Sequence, residues 1–428
     1  MKGRIPATPA RFRKDIISKL GNLSTIRITL LHVRRAVLMM EATGFQLLTE
    51  TRFPRHRPEA WKKKMKWMIW AICLLTAMQV RAQDGAGLFK GPLSPLTISG
   101  YAEGYYGGDF NNPLGNTRPS FLYNFNKSNE AAINLAFLRG SYTASMVRTN
   151  FALAAGTYMK ANYASEPGFL ENFYEGNVGI KLSRENNLWL DAGVFQSHIG
   201  LESAVGKDNW TLTRSIGADN TPYYESGAKI GYTSKDEKWF VSALILNGWQ
   251  HIKPVEGSSL PSFGTQVTYK PTPAITLNSS TFLGTDKPDS TRRMRYFHNF
   301  YGIFQLNDKL AAAIDFDIGV EQRNTHSSGM NTWFSSMFAL RYMPIPKTAI
   351  AIRAEYYDDS HGVIIASGTP HGFKTWGFSA NLDYRLTGNL LWRVEARTLG
   401  SRDNIFPTRH GVPAGSNTFI TTSLIAHF

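Results

Sequence analysis

The chain has 428 residues, 43% apolar and 13% aromatic, with 47 Lys and Arg against 32 Asp and Glu for a net charge of +15. That charge sits at one end: residues 1–82 hold 17 basic and 4 acidic residues, whereas 83–428 hold 30 and 28. Nucleic-acid binding needs a basic footprint on the folded domain itself, and a nearly neutral remainder excludes it.

Met65-Lys66 precede twelve mostly apolar residues, 67–78, and then Val80-Arg81-Ala82. A basic start, a short apolar centre and a small-residue end predict a secretory signal over 65–82, cut after Ala82. Twelve residues fall short of the ~20 that a membrane-spanning helix needs. The only cysteine, Cys73, lies mid-stretch behind bulky Ile72, which does not fit a lipoprotein signal. Residues 1–64 read as an extension that either reflects a true start at Met65 or leaves with the signal. The segment 83–95 leads into the folded part.

Beyond Ala82 no apolar run reaches 18 residues. Alternation with period two recurs instead over stretches of about ten residues. In 309–321, Ala312, Ile314, Phe316, Ile318 and Val320 alternate with Asp315, Asp317, Gly319 and Glu321. In 349–357, Ile350, Ile352 and Tyr356 alternate with Arg353 and Glu355, and Trp392, Val394 and Ala396 alternate with Arg393, Glu395 and Arg397. The pattern also continues through 226–233 with Lys229 in the polar phase, and through 375–385.

A soluble sandwich and an outer-membrane barrel both alternate this way. The connections decide between them. Short turns fit near 184–187, 235–237, 271–273, 307–308, 343–347 and 387–389. Long polar segments separate them near 107–129, 199–221, 249–261, 285–293, 322–330, 359–372 and 401–416. Alternating short and long connections are the asymmetry of a transmembrane barrel, with periplasmic turns and external loops. Aromatics near strand ends (Trp189, Trp239, Trp249, Trp333, Tyr342, Phe373, Trp376, Trp392) would form interfacial girdles. The chain ends on Phe428 after the alternating stretch 419–428, a terminus suited to the barrel-assembly machinery.

The expected fold is therefore all-β: a transmembrane antiparallel up-and-down barrel over 96–428, with about sixteen strands. These begin near 96, 131, 149, 171, 188, 223, 238, 262, 274, 294, 309, 331, 348, 373, 389 and 417. Sixteen strands would enclose an aqueous channel, and an even number puts both termini on the periplasmic side.

Two groups of charges are candidates for function. The loop 199–221 carries Glu202, Lys207, Asp208 and Arg214; folded inward, it would narrow a pore with acidic and basic groups opposed across the gap. The competing reading is an external loop whose charges are solvated or paired structurally. Lys229, Asp315, Asp317, Arg353, Glu355, Arg393, Glu395 and Arg397 share the phase opposite Ile, Val and Trp, so they should face the lumen: a Lys or Arg facing lipid at the midplane costs ~2–4 kcal/mol. They would set weak ion selectivity or brace the wall as salt bridges.

Catalytic patterns are not found. His198, His298, His326, His361 and His371 are scattered, with no HExxH or GxSxG spacing. His326-Ser327-Ser328 reads as a turn, and Asp286–Asp289 first of all as a tight external turn. No cofactor and no metal are expected.

The stretch Leu190-Asp191-Ala192-Gly193-Val194-Phe195, followed by Ile199-Gly200-Leu201-Glu202-Ser203, Asp208-Asn209-Trp210 and Thr213-Arg214-Ser215, resembles the OmpL-like β-barrel porin family common in Bacteroidota. So do Pro222-Tyr223-Tyr224-Glu225-Ser226-Gly227, Asn247-Gly248-Trp249-Gln250 and the opening strand Ile98–Tyr106. The resemblance spans 96–428 and is sharpest over 188–250. It implies a passive pore for small polar solutes or ions in the outer membrane of a Gram-negative bacterium. Its partners would be outer-membrane lipid, those solutes, the barrel-assembly machinery acting through Phe428, and other copies of the chain. The alternatives are a non-conducting structural or adhesive barrel and, behind it, a barrel hydrolase.

Overall fold

A computed structural model describes residues 95–428. The expectations for 1–64, for the signal at 65–82 and for 83–94 lie outside the described residues.

Sixteen strands run in chain order: β1 (Leu96–Asp109), β2 (Ala131–Thr143), β3 (Val147–Ala155), β4 (Phe173–Lys181), β5 (Asn187–Gln196), β6 (Tyr224–Thr233), β7 (Trp239–Leu246) and β8 (Ser262–Thr272). They continue as β9 (Ile275–Gly284), β10 (Arg295–Gln305), β11 (Leu310–Gln322), β12 (Met330–Ile345), β13 (Thr348–Asp359), β14 (Phe373–Thr387), β15 (Leu390–Ser401) and β16 (Ser416–His427). Each begins within two residues of its expected start. Every strand pairs antiparallel with its sequence neighbours, and β16 closes on β1. The seam ends with two hydrogen bonds between Gly100 and Phe428, at 3.1 and 3.0 Å. A side chain there would displace the terminal ring, because a Cβ at position 100 would lie 2.3 Å from it.

The period-two pattern explains why these segments are strands and which way they face. On β11, Ile314, Phe316 and Ile318 point outward and are exposed, whereas Asp317 is buried inside. On β13 and β14, Ile350, Ile352, Trp376 and Phe378 are outward, with Arg353, Glu355, Ser379 and Asn381 inward. The exposed apolar belt would be ruinous in water and is what hydrocarbon covers. The periplasmic turns are short and set by local chemistry. In the β10–β11 turn the Asn307 side chain accepts from the amides of Lys309 and Leu310, at 3.0 and 3.1 Å.

The expected aromatic girdle is half corrected. Trp239, Tyr342, Trp376 and Trp392 are outward and exposed at strand ends, but Trp189, Trp333 and Phe373 point inward and are buried, and Trp249 packs on the inner cluster. The reason is that the lumen is not uniformly wet. Near its external end the inward phase is apolar: Phe282, Phe297, Trp333, Tyr357, Phe373, Leu399 and Phe419 form one cluster. External loops fold in to meet it. Phe121 and Leu122 come from the β1–β2 loop, Ile365 from the β13–β14 loop and Phe406 from the β15–β16 loop. A second cluster packs the short helix α1 (Thr157–Asn162) of the β3–β4 loop, through Tyr158 and Met159, against Tyr174, Tyr223 and Tyr224.

Candidate functional site

The connection from β5 to β6, residues 197–223, crosses the barrel interior. Its entry is fixed at His198. Imidazole Nδ1 lies 2.9 Å from Glu225 Oε2 on β6, and Nε2 lies 2.8 Å from the Thr281 carbonyl on β9. Both neighbours are acceptors, so both ring nitrogens donate and the ring is an imidazolium paired with a carboxylate. Burial by itself would lower the pKa of His198, but the Glu225 charge and the two hydrogen bonds hold it above the ordinary 6.5. The ring has room because Gly264 lacks a side chain: a Cβ there would sit 2.7 Å from Nε2.

From this root the loop reaches the far wall. Gly200 N–H donates to Asn299 on β10 (3.2 Å) and Leu201 N–H to Asp315 on β11 (3.2 Å). Leu212 N–H donates to Asn381 on β14 (3.0 Å), and Ile216 N–H to Glu355 on β13 (2.6 Å). Arg393 on β15 donates to the carbonyls of Gly206 (2.6 Å) and Asn209 (2.9 Å), and Arg397 to that of Arg214 (2.8 Å). Glu395 takes both the amide and the hydroxyl of Thr213. The wall charges that share the inward phase are thus used to satisfy loop backbone that would otherwise be buried without partners.

The charges expected to oppose one another across a gap do not. Arg214 is fully buried and turns into its own loop, donating to the carbonyls of Ser203 (2.6 Å), Leu212 (2.7 Å) and Ala204 (3.1 Å). Glu202 accepts the amide of Ser215 at 2.8 Å, bonds its hydroxyl, and receives Arg353 at 3.3 Å. Both residues staple the loop. Lys207 and Asp208 pair with each other at 2.7 Å. On the wall, Arg353 lies 3.5 Å from Glu355 and 3.3 Å from Glu395, and Arg397 lies 2.7 Å from Glu355. Asp315 and Asp317 share the Asn299 amide at 2.6 and 2.7 Å, and Ser335 donates to Asp317. Of the eight inward charges, Lys229 alone has no hydrogen bond or ion pair among the described residues.

The last part of the loop forms the helix α2 (Ile216–Asp219), capped by Ser215, whose hydroxyl accepts from Ala218 N–H at 3.1 Å. Asp219 is buried there and accepts from Asn124 of the β1–β2 loop at 2.7 Å. Burial pushes its carboxyl up to about 7, against the opposing effect of Asn124. The β1–β2 loop therefore packs on the crossing segment.

Two of the cavities among the described residues bear on the lumen. One, of about 110 Å³, lies toward the periplasmic ends of β10–β13, against Glu202, Trp210, Met337 and Arg353. The larger, about 340 Å³ and more open, lies on the β2–β6 wall and is lined by Arg139, Arg148, Glu175, Asp191, Phe195 and Lys229 among others.

Sequence reasoning missed His198–Glu225 as the loop root, Asp383, which pairs with Arg393 at 2.7 Å, and the buried Glu103 facing Gly206. Asp383 was legible in part, since it shares the polar phase of its strand. His198 had no sequence signal, because its partners lie 27 and 83 positions away.

Residues 95–428 match the model of the family described as "Putative beta-barrel porin-2, OmpL-like". No curated protein matches the chain. Among solved structures, the chain is similar to an anion-selective porin from Comamonas acidovorans at 11% identity and TM-score 0.52, covering 78% of this chain and 99% of that one. It is similar to OmpT, an outer membrane protein of Vibrio cholerae, at 9% identity and TM-score 0.52, covering 79% and 99%. OmpF of Salmonella typhi, in complex with daunomycin, matches at 10% identity and TM-score 0.50, covering 78% and 97%. At these identities the likeness shows the fold.

Proposed function

Because the chain belongs to the OmpL-like β-barrel porin family and is a barrel of the outer membrane, we propose that it is a passive, narrow channel for small polar solutes or ions, with no catalytic role. The observation that carries this reading is the crossing loop, 197–223. It is seated on β10, β11, β13, β14 and β15 and leaves the polar β2–β6 wall uncovered as the larger cavity. A wide lumen needs such a partition to become selective by size. The loop is held by charged groups already committed to it, so the aperture is set by a fixed scaffold and not by mobile side chains.

The test is conductance of the purified, refolded barrel in planar bilayers. Discrete, ohmic steps smaller than those of OmpF under the same salt are expected. A barrel that inserts and never conducts would overturn the reading.

A second reading has its own support. The apolar cluster of Phe121, Leu122, Ile365 and Phe406 brings three external loops together over the lumen wall, as a non-conducting structural barrel would favour. A double Phe121→Ala, Leu122→Ala variant separates the two. A channel should conduct more when the cluster is thinned, whereas a structural barrel stays silent in both forms.

A further inference from the structure

The larger cavity, on the β2–β6 wall, has a charge arrangement that the rest of the lumen lacks. Three cations line it, Arg139, Arg148 and Lys229, and two carboxylates, Glu175 and Asp191. The register puts Asp191 on β5 directly opposite Lys229 on β6, the position from which a cross-strand ion pair would normally form. It does not form. Arg148, from β3, takes both oxygens of Asp191, through Nε to Oδ1 at 2.7 Å and a second nitrogen to Oδ2. It gets there by passing over Gly179 of β4, where a Cβ would lie 2.2 Å from Asp191 Oδ1 and 2.9 Å from Arg148 Cγ.

The other carboxylate is committed too. Glu175 receives Arg139 at 2.7 Å and Asn177 at 3.1 Å. Glu225, also on β6, is held by His198. Each nearby acid thus has a partner, and Lys229 has none among the described residues. Its Nζ stands 4.7 Å from the centre of the Phe195 ring, which orients it without neutralising it. A half-buried ammonium with no carboxylate in ion-pair contact among the described residues, standing beside open cavity space, favours an anion there.

We propose that this cavity binds a small anion, a carboxylate or phosphate, on the Lys229 ammonium, within a lining to which Asn150 and Asn177 also contribute. This rests on the channel reading for the route in, and names the class of solute that the route favours. At about 340 Å³ the cavity has room for a molecule of monosaccharide size. Gly179 is then a specificity residue, since it lets Arg148 withdraw Asp191 from Lys229.

The experiment has two arms on the refolded barrel. In bilayers under a KCl gradient, the wild type should show a reversal potential of anion-preferring sign. Lys229→Gln should lower the chloride-to-potassium permeability ratio ~2-fold or more, Lys229→Glu should invert it, and Lys229→Arg should keep it. Gly179→Ala, which leaves Lys229 in place, should lower the ratio as well by returning Asp191 to it. In the second arm, calorimetric titration of detergent-solubilised protein with glucuronate, inorganic phosphate and glucose should show binding of one or both anions but not glucose. Binding should be lost in Lys229→Gln. Comparing glucuronate with phosphate identifies which anion the site prefers. Conductance with an unchanged ratio in Lys229→Gln and no anion binding overturns the site and leaves the channel standing. Anion binding that depends on Lys229 without conductance overturns the channel and leaves the site.

Discussion

Glu395 accepts two hydrogen bonds from Thr213, one from the backbone amide and one from the hydroxyl at 2.9 Å, joining the middle of the crossing loop to the wall opposite its root. The same carboxylate lies 3.3 Å from Arg353, which also donates to the Thr213 carbonyl at 2.7 Å. One loop residue is gripped from both sides by a buried ion pair. A pair like this is weak evidence for stability but strongly resists the loss of one member.

Glu395→Ala is therefore expected to do two things. It leaves Arg353 and the Thr213 amide short of an acceptor, lowering stability by ~3–5 kcal/mol on the scale of broken buried pairs. It also frees the loop, so single-channel current should become larger and noisier. Thermal unfolding followed by β-sheet circular dichroism, together with bilayer recordings, checks both. A variant with wild-type melting and unchanged current would mean that the loop is held elsewhere.

The root of the loop should respond to alkaline pH. The pKa of His198 is raised above its ordinary 6.5, and Asp219 is raised from 3.8 to about 7. A group whose folded pKa is raised stabilises fully below its unfolded value, and that contribution is lost as pH climbs through the folded one. Both shifts have the same sign: the Asp219 contribution is lost between about pH 4 and 7 and that of His198 above its ordinary 6.5, so the anchoring of 197–223 should weaken progressively from mildly acid to alkaline pH. Open-channel current compared at acid and alkaline pH should rise on the alkaline side, and His198→Gln should flatten that rise. A current indifferent to pH across this range would show that these groups do not hold the loop.

The β1–β16 seam depends on Gly100. Any side chain there displaces the Phe428 ring, since even a Cβ would approach within 2.3 Å. Gly100→Val should cut the yield of folded barrel, seen as loss of the heat-modifiable band on electrophoresis. Adding Phe428→Ala to it should restore part of the yield. No rescue would place the damage in the backbone of β1.

Facing should show in the cost of charge. Ile352 is exposed on the outer surface, and its neighbour Arg353 is buried within. Ile352→Arg would put a guanidinium against hydrocarbon at a cost of ~2–4 kcal/mol near the midplane. Denaturant unfolding in lipid vesicles measures it; a neutral result would mean that position 352 does not face the membrane interior.

Much of this molecule was legible in its sequence. Alternation with period two fixes which residues of β11, β13 and β15 face in, because a lipid-facing charge is too costly at mid-membrane. Short and long connections fix the sense of the strands, and turn residues such as Asn307 mark their ends. These are local rules: each can be applied with only a few neighbours in view. The crossing segment at 197–223 was also visible as a long, charged connection.

What its charges do was decided by the tertiary structure. Closing sixteen strands brings Glu395 to Thr213, 182 positions away, and Arg393 to Gly206, 187 positions away. Buried loop amides and carbonyls then claim the wall charges before any solute can, since an unpaired buried backbone group costs as much as a lost hydrogen bond. The same inward phase becomes a core of Trp333 and Phe373 where loops cover it, and a polar cavity where they do not. Lys229 and Arg148 look alike in a sequence. Only the path of Arg148 over Gly179 to Asp191 leaves one of them paired and the other without an ion pair among the described residues.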